Sequence, residues 1–131
     1  AADLAAVTEI GARRFAAGWS LAELGAELGR PDSIFLVVPQ RGYALARVVE
    51  ADCRLLDLAA SADGGGLGRA LLAALGLAAK SRGCEKISFE VSAANARALD
   101  FYGKAGAKVV GRRPKFYYDG SDAVLMDLDL R

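Results

Sequence analysis

Glu90, Asn95 and Tyr102 lie within one short stretch of this chain, and their side chains can do complementary chemistry. A carboxylate takes a proton, a phenol gives one, and an amide holds a polar group between them. Upstream runs Asp63-Gly64-Gly65-Gly66-Leu67-Gly68-Arg69, a glycine-rich turn leading straight into an apolar-periodic segment. Glycine has no Cβ, so such a turn lets a phosphate approach the backbone N–H groups that open a helix. Taken alone the glycine run is weak evidence, because a plain strand-to-helix loop would look the same. No Gly-Lys-Ser/Thr follows it, which argues against a nucleotide P-loop. Hairpin signals precede it, whereas a dinucleotide-binding fold opens with a βαβ unit. What survives is a pyrophosphate held at the start of the helix from Leu67 onward, beside an acid and a base. That combination predicts group transfer from a phosphorylated carrier.

The composition narrows the chemistry further. The 131 residues contain no histidine, which excludes Ser-His-Asp and Cys-His catalysis and removes the commonest metal ligand. No carboxylate spacing suggests a metal cage, so no metal is expected. A net charge of +1 gives no reason to expect nucleic acid or an anionic membrane as a partner. No apolar run approaches the length of a membrane span, and no secretory leader is visible. Cys53 and Cys84 are far apart in sequence and read as buried thiols of a reducing compartment, hence a cytoplasmic protein. With 53% hydrophobic and 25% charged residues, the chain is expected to form one globular domain over 1–131.

The elements that must position these residues follow from periodicity. Leu4, Val7, Ile10 and Phe15 predict a helix over 2–15, and Ser20 with Glu23 forms a capping-box spacing that opens a second helix through Leu28. Strands are predicted over 34–38, 43–49 and 53–60, the first two joined by a turn at Gln40-Arg41-Gly42. Leu67, Leu71, Leu75 and Ala78 form one stripe of a helix ending near Gly83. Ile87, Phe89 and Val91 alternate, so Glu90 faces the other side of that strand. A short helix over 95–105 is closed by Gly106, and strands over 109–117 and 123–130 are joined by Asp119-Gly120 as a hairpin. Hairpins with intervening helices make an α/β sandwich around a mixed sheet. On the short helix, Asn95 and Tyr102 are two turns apart and share a face with Ala98 and Leu99. Tyr102 could equally be a half-buried aromatic, and Glu90 a member of a solvated strand face.

Gly64 to Leu72, Phe89-Glu90-Val91, Asn95, Ala98-Leu99-Asp100-Phe101-Tyr102 and Gly106 together resemble the GNAT acyl-CoA N-acyltransferases. Trp19-Ser20 and the stretch Tyr117-Tyr118-Asp119-Gly120-Ser121-Asp122-Ala123 look most like the RimI branch, the ribosomal-protein-alanine N-acetyltransferases. The resemblance spans nearly the whole chain in order. It implies the GNAT fold, a mixed and mostly antiparallel sheet flanked by helices; the family's first strand normally precedes the segment that begins at Ala1, so that edge strand is expected to be short or absent here. It also implies acetyl-CoA as co-substrate and a protein or peptide N-terminus, such as that of a ribosomal protein, as acceptor.

By the same resemblance, Gly64, Gly65, Gly66, Leu67, Gly68 and Arg69 cradle the CoA pyrophosphate. Leu58, Ala59 and Ala60 pair through their backbone with the pantetheine arm and supply oxyanion donors, and Asn95 touches the cofactor. Glu90 acts as proton acceptor, through a water, and Tyr102 as proton donor to the leaving thiolate. Trp19, Tyr117 and Tyr118 border the acceptor slot. Two departures stand out: Asp63 occupies a place where the family has glutamine or arginine, and the loop is about two residues short. A carboxylate there opposes a pyrophosphate, and Arg69 is the candidate to offset it. Two other readings stay open on the sequence: a GNAT enzyme for a small amine or lysine side chain, and a non-catalytic acyl-CoA-binding module.

Overall fold

The computed structural model describes residues 30–60 and 66–131. The helices predicted over 2–15 and 20–28 lie outside them, as do Trp19, Asp63, Gly64 and Gly65. The described chain runs β1 (Ser33–Val38), β2 (Gly42–Val49), β3 (Asp52–Ala60), α1 (Leu67–Ser81), β4 (Lys86–Ser92), α2 (Ala96–Lys104), β5 (Lys108–Arg113) and β6 (Ala123–Asp129). The strands form one mixed sheet in the order β1-β2-β3-β4-β6-β5, antiparallel except for the β3–β4 pair. Alternation along the strands decides which side is core. Ala46, Leu55, Ile87, Phe89, Val91, Val124 and Met126 gather on one face, against Leu72, Leu75 and Ala79 of α1.

Two glycines end the helices in the same way. Gly83 (φ 84°) follows α1, with Gly83 N–H donating to the Lys80 carbonyl and Cys84 N–H to that of Ala79, both at 3.0 Å. Gly106 (φ 100°) follows α2, with Gly106 N–H donating to Gly103 and Ala107 N–H to Tyr102. Both are Schellman closures, which need a left-handed residue at that point. The second fixes the backbone of Tyr102 itself.

Two strand ends differ from the sequence reading. Gly42 begins β2 instead of belonging to the turn, since it pairs with both Val38 and Ala60, and a Cβ there would stand 2.6 Å from the Ala59 carbonyl oxygen. The strand predicted over 109–117 stops at Arg113. Pro114 has no N–H to continue the ladder, and Lys115 takes φ 51°. The following loop is fastened by Lys115 N–H to Asp122 Oδ1 at 3.1 Å and Tyr117 N–H to the Ser121 carbonyl at 3.2 Å. Asp119-Gly120 is the tip of this longer loop, where Gly120 N–H donates to the Tyr117 carbonyl, so it does not join the strands as a two-residue hairpin.

The feature that makes a site is the parting of β3 and β4. Their ladder covers only Asp52↔Lys86, Cys53↔Ile87 and Arg54↔Ser88. Just beyond, an extra residue in β3 shifts its register with β2, since Leu45 pairs with Asp57 and Ala46 with Leu55. Such a bulge bends and twists its strand. From Leu55 onward β3 therefore presents a backbone edge that β4 does not cover.

Candidate active site

A cleft of about 690 Å³ occupies the gap between the parted strands. It is lined from β3 by Leu55, Leu56, Asp57, Leu58 and Ala60, and from β4 by Phe89, Glu90, Val91 and Ser92. Helix α1 contributes Gly68, the α2 segment contributes Asn95, Arg97, Ala98, Phe101 and Tyr102, and the loop after β5 contributes Tyr117. The cleft runs through the sheet. Gly68, Ala98 and Phe101 belong to the helix-covered side. Glu90 and Asp57 are on the opposite side, because their neighbours Phe89 and Leu58 pack into the helix-covered core.

On the helix side, Gly66 takes φ 80° immediately before α1, and among the described residues no side chain caps that helix. The first-turn N–H groups of a helix lack partners within it, and the dipole favours an anion there. A Cβ at Gly68 would come within 3.4 Å of the Phe101 ring, so glycine keeps the helix close to the cleft wall. Leu67 is half-buried and Arg69 exposed, and neither lines the cleft. On β3, Leu58 and Ala60 line it, whereas Ala59 is buried on the other face.

Asn95 is the N-cap of α2, its Oδ1 accepting from Ala98 N–H at 3.1 Å, so the helix begins at Ala96. It and Tyr102 both line the cleft, as does Ala98, while Leu99 packs against the core. The Tyr102 ring is clamped: its centroid is 4.2 Å from that of Phe89 and 5.1 Å from that of Phe101. Burial, and after it the charge of Asp57, push its hydroxyl up to about 12. Tyr102 is therefore a phenol that stays protonated at every physiological pH. Both Tyr102 and Asp57 line the cleft between the parted strands.

Glu90 is partly exposed and has Arg113 Nη1 at 3.6 Å from its Oε1. Tyr117 lies in its field, and burial followed by the Glu90 charge raises the Tyr117 hydroxyl. Tyr118 stands apart. It is fully exposed and does not line the cleft, whereas the Tyr117 ring packs edge-on against Phe116 at 5.1 Å. The structure thus brings Glu90, Tyr102, Asn95, Gly68, Leu58, Ala60 and Tyr117 to one cleft and leaves Ala59, Leu67, Arg69 and Tyr118 out of its wall.

Three charged residues were missed by the sequence reading. Asp57 interrupts the apolar run Leu55-Leu56-Asp57-Leu58-Ala59-Ala60, a signal that was visible. Arg97 at the mouth and Arg113 beside Glu90 had no signal, since nothing in their local sequence distinguishes them from surface arginines. Cys53 and Cys84 are free and buried, and burial raises both thiols, that of Cys53 to about 12. Among the described residues no group of three or more Cys, Asp or Glu side chains is placed to hold a metal ion, and no helix is long and apolar enough to cross a membrane.

The sequence model of the acetyltransferase (GNAT) family matches residues 4–107. A comparison with curated proteins returns no match. Among solved structures, the ribosomal-protein-S18-alanine N-acetyltransferase of Escherichia coli is 29% identical, with a TM-score of 0.85 over 98% of this chain and 88% of that one. Ard1 from Thermoplasma volcanium is 22% identical, with a TM-score of 0.83 over 97% and 90%. An aminoglycoside 6'-N-acetyltransferase complexed with coenzyme A is 17% identical, with a TM-score of 0.79 over 98% and 91%. The last two likenesses speak to the fold alone.

Proposed function

The chain belongs to the GNAT acetyltransferase family, and from that premise we propose that it acetylates the N-terminal α-amino group of a protein, such as a ribosomal protein beginning with alanine. The family's activity is transfer of acetyl from acetyl-CoA to an amine. The observation that carries the finer reading is the through-going cleft, with the glycine-flanked start of α1 on one side and Glu90 with Tyr117 on the other. The 29% identity to the S18-alanine enzyme over nearly the whole chain supports the same acceptor class.

The residues present suit acetyl-CoA. Gly66 to Arg69 and Asn95 would hold its phosphate-bearing end, and the uncovered edge of β3 at Leu58 to Ala60 would pair with the pantetheine arm. Bound there, acetyl-CoA supplies an acyl thioester with a thiol leaving group. An α-amino group has an ordinary pKa near ~7.7–8.0, so a modest base suffices to neutralise it. Glu90 takes that proton, through a water, since a strand carboxylate has little reach. The β3 backbone edge offers N–H donors to the oxyanion. Tyr102 protonates the sulfur, whose ordinary pKa of ~8.5 is that of a thiol. A cytoplasmic setting belongs to the same proposal and suits two free buried thiols.

The test is thiol release from acetyl-CoA with peptides that differ only in their first residue. Turnover that is greatest for an alanine-first peptide is the expected result. Turnover restricted to small amines or internal lysine would move the acceptor elsewhere in the family, and binding without turnover would leave an acyl-CoA-binding module.

A further inference from the structure

The acceptor side of the cleft carries an arginine that the mechanism above does not use. Arg113 is the last residue of β5, and its Nη1 stands 3.6 Å from Glu90 Oε1. That spacing is an ion contact, too long for a direct hydrogen bond. The same guanidinium lies over the Phe116 ring, its Cζ 5.6 Å from the centroid. Stacking on an aromatic holds the planar group by one face and leaves open its edge, where the N–H donors point. With the side chain 53% exposed, that edge meets solvent. Its neighbour Arg112 is differently placed, with Nη2 3.3 Å from Asp122 Oδ2.

Position decides what the open edge can meet. The acceptor nitrogen must come within one water of Glu90, and the guanidinium already stands beside that carboxylate. Consecutive peptide residues are ~3.8 Å apart at Cα. The side chain that arrives next to Arg113 is therefore that of the acceptor's second residue. We propose that Arg113 selects acceptors whose second residue is acidic, gripping that carboxylate while Glu90 takes the proton from the α-amino group. The inference deepens the reading that a protein N-terminus is acetylated in this cleft, and it rests on that reading. A carboxylate offers two oxygens to the guanidinium fork. It also offsets the repulsion between Arg113 and the arriving α-ammonium. A lysine in the same place would set a second cation against the guanidinium, so the device rejects as well as attracts.

The test uses three peptides that begin Ala-Glu, Ala-Gln and Ala-Lys and are identical beyond the second residue. Thiol release is followed at saturating acetyl-CoA. The wild type should show kcat/KM at least tenfold higher for Ala-Glu than for Ala-Gln, with Ala-Lys lowest, and added salt should narrow the spread. Arg113→Gln should bring the Ala-Glu and Ala-Gln values to within twofold of each other. An arginine that only supports the fold or Glu90 would, when replaced, slow all three peptides together and keep their ratio; that outcome overturns the proposal. A wild type that turns over Ala-Glu and Ala-Gln equally overturns it without any variant, and leaves acetyl transfer to protein N-termini standing. No thiol release with any of the three peptides overturns the proposed function and this inference with it.

Discussion

Replacing Tyr102 by phenylalanine removes one hydroxyl from the cleft and almost nothing else. The ring keeps its 4.2 Å stack on Phe89 and its 5.1 Å edge contact with Phe101, so the wall of the cleft should stand. Loss of a general acid commonly lowers turnover by roughly 10²–10⁴-fold. That range equals ~2.7–5.4 kcal/mol of transition-state stabilisation at 1.36 kcal/mol per tenfold. Burial, and after it the charge of Asp57, raise the Tyr102 hydroxyl to about 12, so the phenol is protonated and able to donate at neutral pH. Without a donor, the sulfur would have to leave as a bare thiolate. The assay is steady-state thiol release at saturating acetyl-CoA and acceptor, with CoA affinity measured by calorimetry. The expected result is kcat down by more than a hundredfold with CoA binding unchanged. A variant that retains full kcat would remove Tyr102 from the mechanism.

Glu90→Gln, which keeps the shape but cannot take a proton, should reduce kcat by at least ~10²-fold at neutral pH and recover in part as rising pH deprotonates the amine in solution; pH–rate profiles of both proteins check this. Gly66→Asp should weaken CoA binding more than Gly66→Ala does. Space at Gly66 is open, so neither variant clashes, and the backbone strain at φ 80°, ~1–2 kcal/mol, is no greater for aspartate than for alanine; weaker binding by the aspartate variant therefore reports its charge, and equal affinities by calorimetry would refute the cradle. Thermal stability should fall on the alkaline side. Cys53 ordinarily ionises at 9.0 and Tyr102 at 10.0, but each is held protonated to about 12 when folded. The unfolded chain therefore sheds these protons first, so the stability they contribute is whole below pH 9 and is lost between pH 9 and 12. A Tm that stays level from pH 8 to 11 would contradict those environments. Leu75→Ala, at a wholly buried position of α1, should cost ~2–5 kcal/mol by denaturant titration and lower activity only through unfolding.

Much of the architecture was legible because it depends on local rules. The period of 3.6 marked α1, the alternation of Ile87, Phe89 and Val91 marked β4, and the glycines at 83 and 106 stopped two helices where a left-handed residue was required. The loop after β5 was less legible. Tyr117 and Tyr118 are chemically alike and adjacent, yet one lines the cleft and the other is bare to solvent. That choice is made by Pro114, by the turn at Gly120 and by contact with Phe116, none of which acts through periodicity.

The cast of functional groups is a property of the chain itself: no histidine, a carboxylate in a strand, a phenol two turns from an asparagine, and glycines ahead of a helix. Residue type and spacing determine those, because proton affinity and helical pitch travel with the residues. Where β3 leaves β4 was decided only by the folded sheet. A bulge arises from how two strands register against each other, and the resulting gap brings Asp57, Glu90 and Tyr102 to one cleft although they come from three separate elements.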